Sequence, residues 1–229
     1  MRFVEALKEK SRSGLLPVIP DLKRRSPKEG ELFAGRPLTA LAEALQAAGA
    51  PVLSVVTEPR NFSGSLKLLR QAAATGLPVL RKDFIRTRRD IEETAEAGAA
   101  AVLLIVSMLD EDTLPRLLDD CRNCGLDALV EVHTAEELAL VNRLAPPLVG
   151  INNRDILRLE KDDGTVAQTG ALAALVKRPA LVVSESGIRN QNDARAAARA
   201  GADAILVGTA LLRAADIGAK YRELQVALQ

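Results

Sequence analysis

One short phrase, repeated along the chain, constrains the fold more than any other feature. A small residue or glycine, one or two further residues and then an apolar run recur as AGAPVLSVV, TGLPVLRKD, AGAAAVLLIV, CGLDALVEV and AGADAILVG. Weaker versions are LLPVIPDL, APPLVGIN and KRPALVVSES. Glycine in that place ends the preceding helix, because it tolerates left-handed backbone at the C′ position. Short apolar runs without alternation suit strands buried on both faces. Between them lie helical patterns: PLTALAEALQAA, SLKLLRQAAA, TRRDIEETAEA, DEDTLPRLLDDC, AEELALVNRL, GALAALVK, QNDARAAARA and a C-terminal stretch around KYRELQVAL. Eight strands alternating with eight helices predict parallel βα units. That count within 229 residues favours a closed barrel over an open doubly wound sheet, which would normally carry a glycine-rich nucleotide loop. The expectation is one (β/α)₈ TIM barrel as a single catalytic domain over residues 1–229, with a short N-terminal helical segment.

Composition narrows the function. With 31 basic and 30 acidic residues, the chain has no net field to attract nucleic acid or anionic lipid. Aromatics make up 2% of it, too few for base-stacking platforms. No apolar run approaches the roughly 20 residues of a membrane span. The start, MRFVEALKEKSRSG, lacks the apolar centre of a signal peptide. These features exclude nucleic acid and membrane as partners, and the expected location is the cytoplasm. Protein partners are not specified. The cysteines, Cys121 and Cys124, form a C-x-x-C pair at the end of a predicted helix, with His133 the sole histidine. With no second pair to close a zinc site, they read as incidental and no metal is expected.

Charge at strand ends points to the chemistry. The run Leu77 to Leu80 stops at Arg81-Lys82-Asp83, Asp21 and Lys23 end another run, and Glu131 lies inside the end of a third. Desolvating an unpaired charge costs several kcal/mol, so ionic groups recurring there imply one shared polar cavity. In a barrel the catalytic face bears the C-terminal strand ends. Asp21 and Lys23 would sit there from strand 1, Ser54 and Thr57 from strand 2 and Lys82 from strand 3. Strand 5 brings Glu131 and His133, strand 6 Asn152 and Arg154, strand 7 Glu185 and Ser186, strand 8 Gly208 and Thr209. Strand 4 would form an apolar wall. Gly187 and Gly208, with a short helix beginning near Thr209, suit a phosphate. Two long loops, Leu22 to Arg36 and Asn152 to Gln168, suit binding or lid roles, and the first is expected to be mobile. Within it Arg25 or Lys28 could reach a phosphate. Asp83 is expected to point away from the cavity and cap the next helix.

The motifs IPDLKRRSPKEG, LSVVTEPRNFSGS, PVLRKDF, LVEVHTAEEL, VGINNRDI, VSESGI and ILVGTAL, in this order over nearly the whole chain, resemble those of indole-3-glycerol phosphate synthase. The resemblance implies a barrel lyase of tryptophan biosynthesis. It closes and decarboxylates 1-(2-carboxyphenylamino)-1-deoxyribulose 5-phosphate, releases water, and uses no metal or organic cofactor. It assigns Lys82 as general acid, Lys23 as the second lysine, Glu131 as the carboxylate of the dehydration proton transfers, and Asp21 to the strand-1 carboxylate. Ser26, Phe62, Phe84, Asn152, Arg154, Glu185 and Ser186 match substrate-lining residues, and Gly187, Gly208 and Thr209 the phosphate site. The chemistry agrees: a lysine, with a reference pKa of about 10.4, can supply charge and proton to the oxygen of an attacked ketone.

The chain departs from the family pattern in three places. Asp21 replaces the usual glutamate, drawing the carboxylate back by roughly 1.5 Å, one carbon–carbon bond. The carboxylate would lie between Lys23 and Lys82 in a contact that is looser or bridged by water, and Asp21→Glu would raise turnover. The serine-lysine-glycine of the first loop becomes Lys28-Glu29-Gly30, and only about fifteen residues precede strand 1. The alternatives are a paralogous barrel lyase or isomerase on a related sugar phosphate, and a non-catalytic barrel that binds a phosphorylated ligand.

Overall fold

The computed structural model describes residues 2–154 and 165–228. Its parallel strands are β1 (Val18–Leu22), β2 (Leu53–Val56), β3 (Val79–Lys82), β4 (Ala101–Ile105), β5 (Asp127–Val132), β6 (Leu148–Asn152), β7 (Leu181–Glu185) and β8 (Ala204–Val207). Each pairs with its sequence neighbours, and β1 pairs with β8 through Val18–Ile205, Ile19–Leu206 and Pro20–Val207, which closes the barrel. This is the (β/α)₈ architecture that the repeat predicts. Gly49 and Gly201, at φ of 92° and 99°, show why glycine recurs in the repeat: each turns the chain out of a helix through left-handed backbone.

Helix starts are written in side chains. Thr87 and Asp90 form a reciprocal capping box at the helix Arg88–Glu96, and Thr134 accepts from the amide of Glu137 at the helix Ala135–Leu144. Two helices differ from their sequence patterns. GALAALVK was expected to be helical throughout, but the helix runs Ala167–Leu172 and tightens to a 3₁₀ turn over Ala173–Leu175. The C-terminal helix, Ile217–Leu224, ends before Val226, whose carbonyl accepts from Leu16 N at 2.8 Å. Pairing with the chain entering β1 there replaces the last helical turn.

Successive strand residues face opposite ways, and this alternation builds two cores. Leu53, Val55, Val102, Leu104, Val130 and Ile151 meet the helices. Ile19, Val52, Leu80, Leu103, Leu129, Leu148, Val183 and Leu206 fill the lumen. The helix α1 (Phe3–Arg12) plugs the lumen at the N-terminal strand ends with Phe3, Val4, Ala6 and Leu7. Asp127, at the start of β5, fixes that plug: its Oδ2 accepts from Val4 N at 3.0 Å, and its Oδ1 lies 2.6 Å from Arg2 Nη2. The short N-terminal segment therefore seals the end of the barrel opposite the expected catalytic face. Among the described residues no helix is long and apolar enough to cross a membrane.

Candidate active site

Two residues further along six of the inward-facing rows, the apolar lumen gives way to ionic, hydroxyl or glycine positions. Ile19 is followed by Asp21, Val52 by Ser54, Leu80 by Lys82, Leu129 by Glu131, Val183 by Glu185 and Leu206 by Gly208. Register aligns this upper layer, with Asp21 beside Ser54, Glu131 beside Gly150 and Asn152 beside Glu185. Asp21, Lys23, Glu131, Asn152 and Glu185 are all buried.

Above this layer opens one cavity with two lobes that share Asp21, Lys23, Lys82, Arg154 and Ser186. The first lobe is walled by Val56, Phe62, Phe84, Leu103 and Ile105, so β4 does supply the apolar side. The second, about 480 Å³, is bounded by Glu185, Gly187, Gly208, Thr209 and the cations Lys28, Arg189 and Arg213. The turn after β7 is left-handed at both Ser186 and Gly187, with φ of 66° and 76°, and the short helix Thr209–Leu212 follows β8.

Local bonds hold these groups. Ser54 Oγ donates directly to Asp21 Oδ1 at 2.7 Å. Asn152 Nδ2 donates to Glu131 Oε1 at 3.1 Å, and His133 Nε2 lies 3.4 Å from the same oxygen. Glu131 is fully buried and sits beneath Asn152, which lines the cavity. Burial pushes the Glu185 carboxyl well above the ordinary carboxylate range; the charges of Glu131 and Asp21 add to this, and Lys82 opposes it.

Some expected residues lie elsewhere. Thr57 faces the helix layer, not the cavity: its hydroxyl donates to Asp83 and accepts from Arg81 Nε at 3.1 Å. Asp83, expected to point away from the cavity and cap the next helix, borders the first lobe, and the helix Arg88–Glu96 is capped by Thr87. Asp83 instead pairs with Arg81 at 3.1 Å and accepts from Phe84 N at 2.8 Å. Arg81 thus supports the strand from outside while Lys82 points inward. Ser26 is buried in a small hairpin, Arg25–Ser26 against Gly30–Glu31, where its hydroxyl accepts from Glu29 N at 3.4 Å. That hairpin belongs to the loop expected to be mobile. It is tied to the β8 end by a 2.6 Å Glu29–Arg213 ion pair, and Arg36 Nη2 donates to Leu32 O. Much of the second long loop, residues 155–164, lies outside the described residues. Cys121 is buried with its thiol pushed up to about 12, mainly by desolvation, so it is no nucleophile.

Sequence reasoning passed over Gly150, Glu58 and Arg213. Gly150 stands where a Cβ would collide with Glu185 Oε1. Glu58 lines the apolar lobe and caps the short helix Pro59–Phe62 by accepting from the amides of Arg60, Asn61 and Phe62. Only the alternation of β6, which places position 150 inward between Leu148 and Asn152, could have singled out Gly150.

A closed barrel with lysines and carboxylates gathered at its C-terminal strand ends defines the class: a (β/α)₈-barrel enzyme whose ionic groups line the upper lumen. Sequence comparison then gives the family. The family described as indole-3-glycerol phosphate synthase matches residues 1–224. An indole-3-glycerol phosphate synthase of Thermococcus kodakarensis is 48% identical over 200 residues, covering 87% of each chain. One of Pyrococcus furiosus is 45% identical over 214 residues, 92% of this chain and 93% of that one. A Geobacillus kaustophilus protein of the same name is 40% identical over 217 residues, 94% of this chain and 82% of its own. The chain belongs to the indole-3-glycerol phosphate synthase family.

Proposed function

We propose that this cavity closes the indole ring of 1-(2-carboxyphenylamino)-1-deoxyribulose 5-phosphate, with Lys82 as the acid of ring closure. Family membership supports the reaction. The observation that carries the assignment of roles is the position of Lys23 and Lys82 where the apolar and cation-rich lobes join. The aromatic ring belongs between Phe62 and Phe84. The phosphate belongs against Gly187, Gly208 and Thr209, with Arg189 and Arg213 near, and Arg154 spans the two lobes. The ketose chain then passes the lysines.

The ring carbon that bears the carboxylate attacks the ketone, and the C–O π pair becomes an oxyanion that takes the Lys82 proton. Loss of carbon dioxide returns an electron pair to the ring. The new hydroxyl next leaves as water with a proton, for which Lys23 is placed, and Glu131 removes a proton from the adjacent ring carbon. Asn152 holds Glu131 for that step. Two protons are given and one recovered. The net uptake of one matches the carboxylate that departs as neutral carbon dioxide. A phosphate ester does not cross membranes unaided, so this reading places the enzyme in the cytoplasm.

Lys82→Ala tests the assignment. Ring closure should be abolished while circular dichroism and thermal midpoint stay close to the parent, because the apolar strand behind the lysine is untouched. Near-parental formation of indole product, followed by fluorescence, would refute the role.

A further inference from the structure

Glu131 and Glu185 approach each other across the bare backbone of β6. Glu131 pairs in register with Gly150, and Asn152 with Glu185. The Glu185 carboxyl occupies the place a side chain at 150 would take. Glu131 is 0% and Glu185 1% exposed. Of their four carboxyl oxygens only Glu131 Oε1 has a donor, from Asn152; among the described residues the other three have none. Among the described residues, the other ionic groups near the pair are Lys82 and Asp21, which act on Glu185, and His133, which meets Glu131. Lys23 and Arg154 line the same cavity.

Two buried carboxyls in contact do not both ionise. Like charge and lost hydration together keep a proton on one of them, as a property of the pair. Asn152 decides which, because its amide N–H stabilises charge on Glu131. We propose that Glu185 is a neutral carboxylic acid in the resting site and donates its proton in a hydrogen bond to Glu131, so that the pair holds one proton and one negative charge. The proton meets an otherwise unmatched acceptor, and the charge stays on the carboxylate that acts as base. Glu185 is in this respect a positioning residue, acting through Glu131. The inference rests on the reading of Glu131 as the dehydration base.

Infrared difference spectroscopy of the substrate-free enzyme tests the protonation. Parent minus Glu185→Gln should show a carboxylic-acid carbonyl band at neutral pH that the variant lacks. Kinetics test the consequence. Glutamine keeps an N–H donor toward Glu131 and carries no charge, so it should restore about tenfold of the activity lost in Glu185→Ala. The alkaline decline of kcat/KM that follows loss of the Glu185 proton should disappear in Glu185→Gln. Absence of the acid band, or a glutamine variant no better than alanine, would overturn the proposal. The band needs no substrate, so it survives if the reaction assignment fails. Absence of indole product from the parent enzyme would count against that assignment alone.

Discussion

At Asp21, one methylene separates this chain from the motif it resembles, and the structure reverses the sign of the expected effect. Sequence alone favours a gain in turnover from Asp21→Glu. But Ser54 already donates directly to Asp21 Oδ1 at 2.7 Å, which holds the carboxylate where the aspartate side chain places it. A longer side chain would carry it off that partner. Asp21→Glu should therefore lower kcat, on the order of 10²-fold if the carboxylate moves by a bond length; steady-state kinetics on the ring-closing substrate would show it. Glu185 has a separate effect on stability. Its folded pKa is raised, so the folded chain keeps a proton that the unfolded chain has lost, and stability falls as pH rises from about 4.3 through the folded value. Glu185→Gln removes this slope. Its thermal midpoint relative to the parent should be higher at pH 8 than at pH 4.

Strand β6 shows what alternation carries besides packing. Leu148, Gly150 and Asn152 face the lumen in turn: one fills the core, one leaves room for Glu185, and one holds Glu131. Gly150→Ala should push Glu185 off its seat, costing about 1–3 kcal/mol by overpacking, with a fall in kcat larger than the change in KM. The two-residue periodicity and the charged strand ends were legible in the sequence, and they suffice to place Asp21, Lys82, Glu131, Asn152 and Glu185 on one face of the barrel. The tertiary partners were not legible. Nothing local tells that Thr57 turns outward to Arg81, or that Ser26 is buried in a hairpin. Among loops, the Glu29–Arg213 pair sets a carboxylate beside the proposed phosphate lobe. Surface pairs contribute little to stability, about 0–1 kcal/mol. Glu29→Gln should accordingly leave the thermal midpoint nearly unchanged while lowering KM about two- to threefold, as Arg213 is released toward the anion.

At the scale of the whole molecule, the work divides along the barrel axis, with stability set at the N-terminal strand ends and chemistry at the other. Leu7 is fully buried in the plug, so Leu7→Ala should cost about 2–5 kcal/mol and lower the thermal midpoint without altering KM. The helical pattern of the first residues was readable, but its destination was not, because Asp127, which anchors it, lies more than a hundred residues away. The plug has a consequence for traffic. Among the described residues, Phe3 and Leu7 stopper the lumen at the N-terminal strand ends, which leaves the opposite end as its mouth. Substrate enters where indole product, carbon dioxide and water must leave, and the bulkiest of the three blocks the doorway for the next arrival. Product should then compete with substrate for one entrance, giving purely competitive inhibition, in which saturating substrate restores the full maximal rate.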